Sequence, residues 1–457
     1  MSSFFALNCN KFFYIIYIIY KKGNTNKKGV NALEYKSKEI KKGIKLHYIK
    51  TDLFKTDLIS VFITRKLNRE TITKNTLIPA VLTSGTRTMP TKEEISKKME
   101  ELYGAEMDCG IEKVGDNQLL KFYIESINNK YVLTNENLIE EVITKLLEIV
   151  FEPVLEDGVF KKDFIEKEKI KIKQLIEGKI DNKDKYAMDR MIEEMYKGEL
   201  YGLYKYGYVE DLDKITAEDL YKTYIDLLEK AKIDIVVSGD FDQESIEKII
   251  VNNNNIKNLK ERNADYIVNN EETEKRQESQ EKTVEEAMNV AQGKLVMGLD
   301  VLDNREGIRY ILALYNAVLG GSAMSKLFQN VREKESLAYS IGSKYLRQKN
   351  NIIIKAGIEI ENYEKAQKLI KKELEDMKNG NFDDKDVEQA KQFLIHGINA
   401  IVEDQETGVN YYMSQEFSNQ LVTPEEYKEK INKVTKQEIV DVAEKIKINT
   451  VYFLKNN

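Results

Sequence analysis

Residues 319–340, LGGSAMSKLFQNVREKESLAYS, are the stretch that decides the fold of this 457-residue chain. An apolar segment at 310–319 predicts a helix that stops at Gly320 and Gly321, because glycine takes the left-handed C-cap conformation without penalty. A second helix is predicted from about Met324, and it ends in Leu337-Ala338-Tyr339. Strands are predicted on both sides of this pair of helices, which indicates an α+β fold.

The elements around this stretch occur in the same order in the first half of the chain. Each half has a β-rich segment, an apolar helix that ends near a glycine, a second helix and a strand. In the first half these lie at 58–64, 76–83, 91–105 and 107–114, with a further strand at 119–125. In the second half they lie at 293–299, 310–319, 324–339 and 352–358.

Both halves also close with a capped helix and a terminal strand. Capping patterns at 215–219 and 434–438 begin the helices, and the strands follow at 233–239 and 450–454. Thr91 with Glu94 forms a further capping box in the first half. Matching caps at corresponding places predict an internal duplication.

The most polar part of the chain, from about Asn252 to Glu286, separates the two repeats. No face there is apolar enough to be buried, so this part is predicted to be a linker. We therefore expect four regions, which are a disordered or over-extended N-terminus, two domains and the linker between them. The N-terminus is predicted at 1–30 and the first domain at 31–250. The linker is predicted at 251–288 and the second domain at 289–457.

The charge balance argues against a nucleic-acid-binding protein. Lys and Arg number 71 against 77 Asp and Glu, for a net charge of -6, whereas nucleic-acid affinity needs a clustered basic face. Hydrophobic residues make up 42% of the chain, which is enough for two cores.

The N-terminus carries an apolar run of nine residues at 12–20, FFYIIYIIY. A membrane span needs ~20 apolar residues, so no span is expected. The flanking residues also lack the pattern of a signal peptide. With only Cys9 and Cys109 in the chain, a disulfide framework is not expected, and a reducing, cytoplasmic compartment is favoured.

The histidines do not support a catalytic zinc site. A catalytic zinc takes about three protein ligands, with His prominent among them. The chain has two histidines, His47 and His396, and no HExxH, HxxEH or CxxC pattern. We expect His47 to be a satisfied or surface residue and His396 to be packed in the core among apolar neighbours. A carboxylate-only metal site stays open as an alternative.

Other catalytic patterns are missing, and Arg332 with Tyr339 is the remaining candidate pair. No GK[ST] follows the glycine pair, and no GxSxG is present. Arg332 has a planar fork of donors suited to carbonyl oxygens, and the Tyr339 hydroxyl could point to the same place if the helix ends between them. On spacing alone, an exposed charged helix face followed by a buried Tyr is the better interpretation.

At residues 319–340 the chain resembles the insulinase-like, pitrilysin-type M16 metallopeptidases. Their C-terminal half carries a Gly-Gly-Ser-Met-Ser-x-Leu-Phe stretch, then Arg-Glu and Leu-Ala-Tyr-Ser. Further matches lie at 84–86, 102–105, 201–202, 215–216 and 236–240, and the resemblance extends from about Lys45 to the C-terminus. It implies two homologous halves, each a mixed, mainly antiparallel sheet packed with helices, which together form half of a clam-shell.

The departure from the family pattern lies on the first apolar helix. Family members that cleave peptides carry His-x-x-Glu-His there, just before a Gly-Thr. In this chain Thr76 and Ala80 replace the two histidines, and Pro79 replaces the general-base glutamate. The third ligand of the family would fall near Gln174 or Leu175. Without these ligands there is no zinc in this chain to acidify a water.

The resemblance therefore implies a non-catalytic member of the family. In two-chain bacterial peptidases one subunit carries the zinc motif and the other the Arg and Tyr, and some such pairs are described as associated with elongation factor P modification. A zinc-bearing partner of similar length with His-x-x-Glu-His and a peptide substrate are expected. Arg332, Tyr339, Gly320 and Gly321 would bind that substrate in trans to the partner's zinc.

Two alternatives remain from the sequence. One is a pseudo-peptidase that acts only as a peptide-binding or scaffold protein, in which Arg332 and Tyr339 are packing relics. The other, weaker alternative is a stand-alone enzyme with a carboxylate metal site.

Overall fold

The computed structural model describes residues 33–133, 136–266 and 280–456. The predictions for residues 1–30, with Cys9 and the apolar run 12–20, lie outside the described residues. So does part of the predicted linker, residues 267–279.

The first half builds a twisted sheet in the strand order β1-β2-β8-β3-β5-β4, and a short β6–β7 ribbon lies outside it. The strands are β1 Glu34–Lys41, β2 Ile44–Lys50, β3 Thr56–Lys66, β4 Glu106–Val114, β5 Asn117–Ile127, β6 Leu155–Glu156, β7 Val159–Phe160 and β8 Lys232–Gly239. The helices are α1 Ile72–Leu82, α2 Lys92–Glu101, α3 Leu138–Phe151, α4 Lys162–Glu177, α5 Lys183–Met195, α6 Val209–Leu212, α7 Ala217–Lys230, α8 Gln243–Asn252 and α9 Asn254–Asn258.

The second half builds a sheet in the order β11-β12-β10-β13-β9. Its strands are β9 Lys282–Ala287, β10 Gly293–Val301, β11 Ser340–Leu346, β12 Asn351–Ile358 and β13 Ile446–Lys455. Its helices are α10 Ile308–Asn316, α11 Tyr363–Lys378, α12 Asp384–Ala400, α13 Gln405–Glu416, α14 Pro424–Lys433 and α15 Lys436–Ala443. Two π-helical turns, Ala317–Gly321 and Phe328–Lys334, lie between α10 and β11.

The two sheets share one topology. The order β2-β8-β3-β5-β4 of the first half corresponds strand for strand to β9-β13-β10-β12-β11 of the second. The β2–β8 and β9–β13 pairs are parallel, and the other pairs within these two five-strand sets are antiparallel. The prediction of two α+β halves, each with a mixed, mainly antiparallel sheet, is therefore confirmed, and β1 is an addition to the first half.

Local sequence signals explain where several helices begin. Thr91 with Glu94 and Thr435 with Glu438 each form a full capping box, with both reciprocal hydrogen bonds made. Thr216 caps α7 through a single hydrogen bond, accepted by its side chain from the backbone N–H three residues on. The caps predicted from the sequence therefore lie where the helices start.

One helix of each half packs against the sheet of the other half. From α5 and the turn after it, Tyr186, Met191 and Tyr196 pack against the second sheet, whose contacting residues are Val296, Ile353, Tyr452 and Leu454. From α13 and the residues beside it, Val409, Tyr412 and Phe417 pack against the first sheet, whose contacting residues are Ile49, Leu58, Phe62, Leu119 and Val236. These two shared clusters hold the halves together by apolar burial.

The predicted linker is shorter in the structure than 251–288. Helices α8 and α9 reach Asn258, and β9 adds a strand to the second sheet. Arg262 and Tyr266 are buried, and the Tyr266 hydroxyl donates to Asp234 at 2.7 Å. The expectation that nothing there is buried was wrong, because these two side chains pack against the first sheet despite the polar composition around them.

None of the helices within the described stretches is long and apolar enough to cross a membrane.

Candidate functional site

The three positions at which the resemblance places the zinc motif of active family members lie on α1. Thr76 is buried, and its hydroxyl donates to the Ile72 carbonyl at 3.0 Å, one turn back in the helix. Pro79 is buried inside the helix, and Ala80 is half-buried. None of these side chains offers the imidazole or carboxylate lone pairs that zinc takes. The helix therefore does not fit a zinc ion.

A neutral hydrogen-bond network surrounds Thr76. Gln118, on β5, is fully buried, and its amide nitrogen donates to the carbonyls of Ile72 at 3.0 Å and Lys205 at 3.1 Å. Its amide oxygen accepts from Asn75 at 2.9 Å. The network ties α1 to β5 and to the chain after α5 with uncharged groups. Sequence reasoning missed Gln118, although the adjacent amides Asn117 and Gln118 before the apolar residues of β5 were a visible signal.

The third ligand of the family has no counterpart either. Gln174 is exposed on α4, and Leu175 is partly buried and packs against the first core. The nearby carboxylate of Glu168 pairs with Lys171 and lies 3.5 Å from the Ser84 hydroxyl. Across the described stretches no group of three or more His, Cys, Asp or Glu is placed to hold a metal ion.

The two histidines lie in different environments. His47 is fully buried, with Nε2 2.9 Å from Asp234 and Nδ1 2.8 Å from the Tyr35 hydroxyl, so it is a satisfied histidine as expected. His396 is exposed on α12, and the expectation of a packed core histidine was wrong. Val387, Ala390 and Leu394 pack on the core at spacings of three and four residues, and His396, only two residues past Leu394, points away from that face.

Cys109, on β4, is a free thiol. Burial raises its pKa to about 12. The thiol is therefore protonated and unreactive at neutral pH.

Arg332 and Tyr339 both lie at the surface of the second half. Arg332 belongs to the second π-helical turn, and its guanidinium lies 4.6 Å from the centre of the Phe328 ring and 3.6 Å from Glu333. The helix ends at Lys334, between the two residues. Tyr339 is 51% exposed, and its hydroxyl donates to Glu359. Tyr339 is not the buried residue of the simpler interpretation, so both side chains can meet another molecule.

The glycine pair has a different structural role from the one expected. Neither Gly320 nor Gly321 has a positive φ, so the left-handed C-cap interpretation was wrong. A Cβ on Gly320 would lie 2.6 Å from the Ser343 hydroxyl, 2.7 Å from the Ser343 nitrogen and 2.9 Å from Leu327. Gly320 is therefore required because the turn after α10 presses against β11, and it holds the segment that leads to Arg332.

Comparisons with known proteins agree with this geometry. A family model described as the peptidase M16 inactive domain matches residues 214–394. A Bacillus subtilis (strain 168) protein named probable inactive metalloprotease YmfF is 35% identical over 420 residues, which cover 90% of this chain and 96% of the relative.

Two solved structures share the fold over the same extent. A conserved protein from Enterococcus faecalis V583 matches with a TM-score of 0.81 and 27% identity, over 93% of this chain and 99% of that one. A peptidase M16 inactive domain from Pseudomonas fluorescens matches with a TM-score of 0.72 and 17% identity, again over 93% and 99%.

Proposed function

Since the chain belongs to the M16 peptidase family and is a homologue of a protein named probable inactive metalloprotease, we propose that it is the non-catalytic subunit of a two-chain zinc peptidase. In this role it binds the peptide substrate and supplies Arg332 and Tyr339 to a zinc-bearing partner.

One contrast carries the proposal. The zinc-motif positions on α1 are filled with groups that bind no metal, whereas Arg332 and Tyr339 are exposed on the other half. Among the described residues there is no cluster that could hold a metal beside this Arg and Tyr. The contrast is accounted for if the metal is supplied by a second chain of similar length that carries His-x-x-Glu-His.

The chemistry follows from the donors. The partner's zinc would polarise the scissile carbonyl and activate a water. As the carbonyl oxygen becomes an oxyanion, the Arg332 guanidinium and the Tyr339 hydroxyl would donate hydrogen bonds to it. Donors that are aimed at developing charge in a site closed to water contribute more than they do in water. An extended peptide would pair with an outer strand, for which β4 and β11 are the corresponding edges of the two sheets.

The test is kinetic and uses the two purified chains together. Arg332→Ala should lower kcat by about 10²- to 10³-fold, the usual cost of losing one oxyanion donor, with a smaller change in KM. Tyr339→Phe should also lower kcat. Lys334→Ala, an exposed cation at the end of the same turn, is the matched control and should leave kcat unchanged.

If Arg332→Ala and Tyr339→Phe leave the rate of the pair unchanged, the role in trans is wrong. The protein would then be a pseudo-peptidase that acts as a peptide-binding or scaffold protein.

A further inference from the structure

Two arginines of the second half lie close together beside the end of α13. Arg309 is in the first turn of α10 and is 8% exposed, and Arg347 follows the end of β11 and is half-buried. Both side chains reach the same group, the amide oxygen of Gln415 near the end of α13, at 3.3 Å from Arg309 and 3.0 Å from Arg347. Two guanidinium groups therefore share one neutral acceptor.

The remaining acceptors of this pair are also uncharged. Arg309 donates to the Gln420 carbonyl at 3.0 Å and to the Tyr310 hydroxyl. The Nε of Arg347 is buried and has no hydrogen-bond partner. Within the described residues no carboxylate forms an ion pair with either arginine, although most of the arginines there are paired with acids.

The polar side chains around the pair suit an anion. Half-buried tyrosines surround the pair, and Lys430 lies 5.2 Å from the centre of the Tyr310 ring, adding a third positive charge. The tyrosines are Tyr345, Tyr411 and Tyr427. The Tyr345 hydroxyl already donates to the Asn350 side chain at 3.1 Å, and the Tyr411 hydroxyl donates to the Val422 carbonyl at 3.0 Å. Tyr427, and Tyr310, whose hydroxyl accepts from Arg309, carry hydroxyl groups that can donate to an anion.

A pair of cations, one buried and one half-buried, is costly when no carboxylate compensates it. Guanidinium groups stay protonated at neutral pH, and burying a charge without a counter-charge is unfavourable. Burial, followed by the neighbouring Arg309 charge, lowers the pKa of Arg347, which is the direction expected when no carboxylate offsets the repulsion. A bound anion would relieve this repulsion and satisfy the unpaired Nε.

We propose that Arg309 and Arg347 form a binding site for an oxyanion group, a phosphate or a carboxylate, beside Gln415 and the neighbouring tyrosines. The planar fork of a guanidinium matches both kinds of oxygen pair. The proposal does not depend on the proposed peptidase role, because it concerns residues other than Arg332 and Tyr339.

The first test is binding of inorganic phosphate to the full-length protein, measured by calorimetry at constant ionic strength and by the shift in Tm. A second arm compares a short peptide that has a free C-terminal carboxylate with the same peptide amidated. Saturable binding of phosphate, or of the free but not the amidated peptide, supports the site and identifies the source of the oxyanion. Failure of both ligands to bind overturns the proposal.

Variants then assign the binding to these residues. Arg347→Met should weaken binding about 10-fold or more, the loss expected for a charge-assisted hydrogen bond. Arg305→Met is the control, since Arg305 is exposed and already pairs with Asp303 at 3.2 Å. Equal affinity in Arg347→Met and the wild type would overturn the assignment.

Gln415→Glu keeps the proposal testable if Arg347→Met does not fold. The substitution places a carboxylate of nearly the same shape between the two guanidinium groups and so supplies the missing counter-charge. We expect a higher Tm in anion-free buffer and loss of the response to the oxyanion. A Gln415→Glu variant that binds the oxyanion as the wild type does would contradict the proposal.

Discussion

The two halves of this protein have the same strand order but differ in what their corresponding segments present. In the first half, α1 carries the buried residues Thr76 and Pro79, and the buried Gln118 of β5 lies against it. In the second half, the turn after α10 leads to the exposed Arg332 and Tyr339. The two halves therefore share a framework but differ in these segments, because strand pairing and core packing depend on different residues from those at the surface.

The halves are nevertheless not independent bodies. Each sheet is covered in part by a helix of the other half, through the clusters around Tyr196 and Tyr412. This reciprocal packing predicts that the described part of the chain unfolds as one unit. A substitution that removes a buried side chain from one shared cluster should therefore destabilise both halves.

The largest effect is expected from emptying a shared cluster. Tyr412 is 1% exposed and stacks on Tyr35 with ring centres 4.4 Å apart, and Tyr196 is equally buried in the other cluster. Either Tyr→Ala change should lower the free energy of unfolding by about 3–5 kcal/mol, the range for losing a buried aromatic ring. Denaturant unfolding followed by far-UV circular dichroism measures this.

Tyr131→Ala is the control for that experiment, because Tyr131 is 49% exposed and should change stability by less than about 0.5 kcal/mol. Two separate transitions in Tyr412→Ala, with one half unchanged, would show that the halves unfold independently.

A smaller effect on stability depends on pH and comes from Asp57, in the first half. Burial raises the pKa of Asp57 to about 6, while Asn128 donates to both carboxylate oxygens at 2.9 Å. In the unfolded chain this carboxyl has a pKa of about 3.9. Between these values the folded state binds more protons, so stability should fall as pH rises from about 4 to 6, by up to roughly 3 kcal/mol.

Asp57→Asn should remove this contribution to the pH dependence, which unfolding measured at several pH values would detect. Glu106→Gln, at an exposed carboxyl on β4, is the control and should keep the slope. An unchanged slope in Asp57→Asn would contradict the assignment to Asp57.

The smallest of the three effects compares two corresponding glycines. Gly85, after α1, would place a Cβ 2.6 Å from the Pro90 carbonyl oxygen, and Gly320, after α10, would place one 2.6 Å from the Ser343 hydroxyl. Changing either glycine to Ala should lower the free energy of unfolding by about 1–3 kcal/mol through overpacking.

Gly397→Ala is the control, because Gly397 is helical, on α12, and has no neighbour within 4 Å of the added Cβ. It should leave the free energy of unfolding unchanged or raise it by up to about 1 kcal/mol. Thermal unfolding distinguishes these outcomes. Equal stability in Gly320→Ala and Gly397→Ala would show that the β11 residues beside Gly320 move to make room for the added methyl group.

Much of the fold was predictable because its signals are local. The capping box at Thr91 and the apolar strands β3 and β8 depend on a few adjacent residues, and the duplication follows from comparing such segments. The assignment of Thr76, Pro79 and Ala80 to the zinc positions comes from the resemblance and stays a prediction.

The features that were missed depend on residues far apart in the chain. Gly320 is fixed by Ser343 on another element, and Gln118 is satisfied by α1 and by the Lys205 carbonyl. The exposure of His396 depends on which face of α12 meets the core. Tertiary contacts of this kind leave little trace in a local window of sequence.

The central claim is that this chain completes a zinc peptidase without holding the metal. The most direct measurement expresses the tagged protein in its native cell, isolates it with whatever is bound, and quantifies zinc and peptidase activity in each fraction. The account predicts a one-to-one complex with a chain of similar length that carries His-x-x-Glu-His, with zinc and activity present only in that complex. Stoichiometric zinc in the isolated chain, or recovery of the chain alone without such a partner, would contradict it.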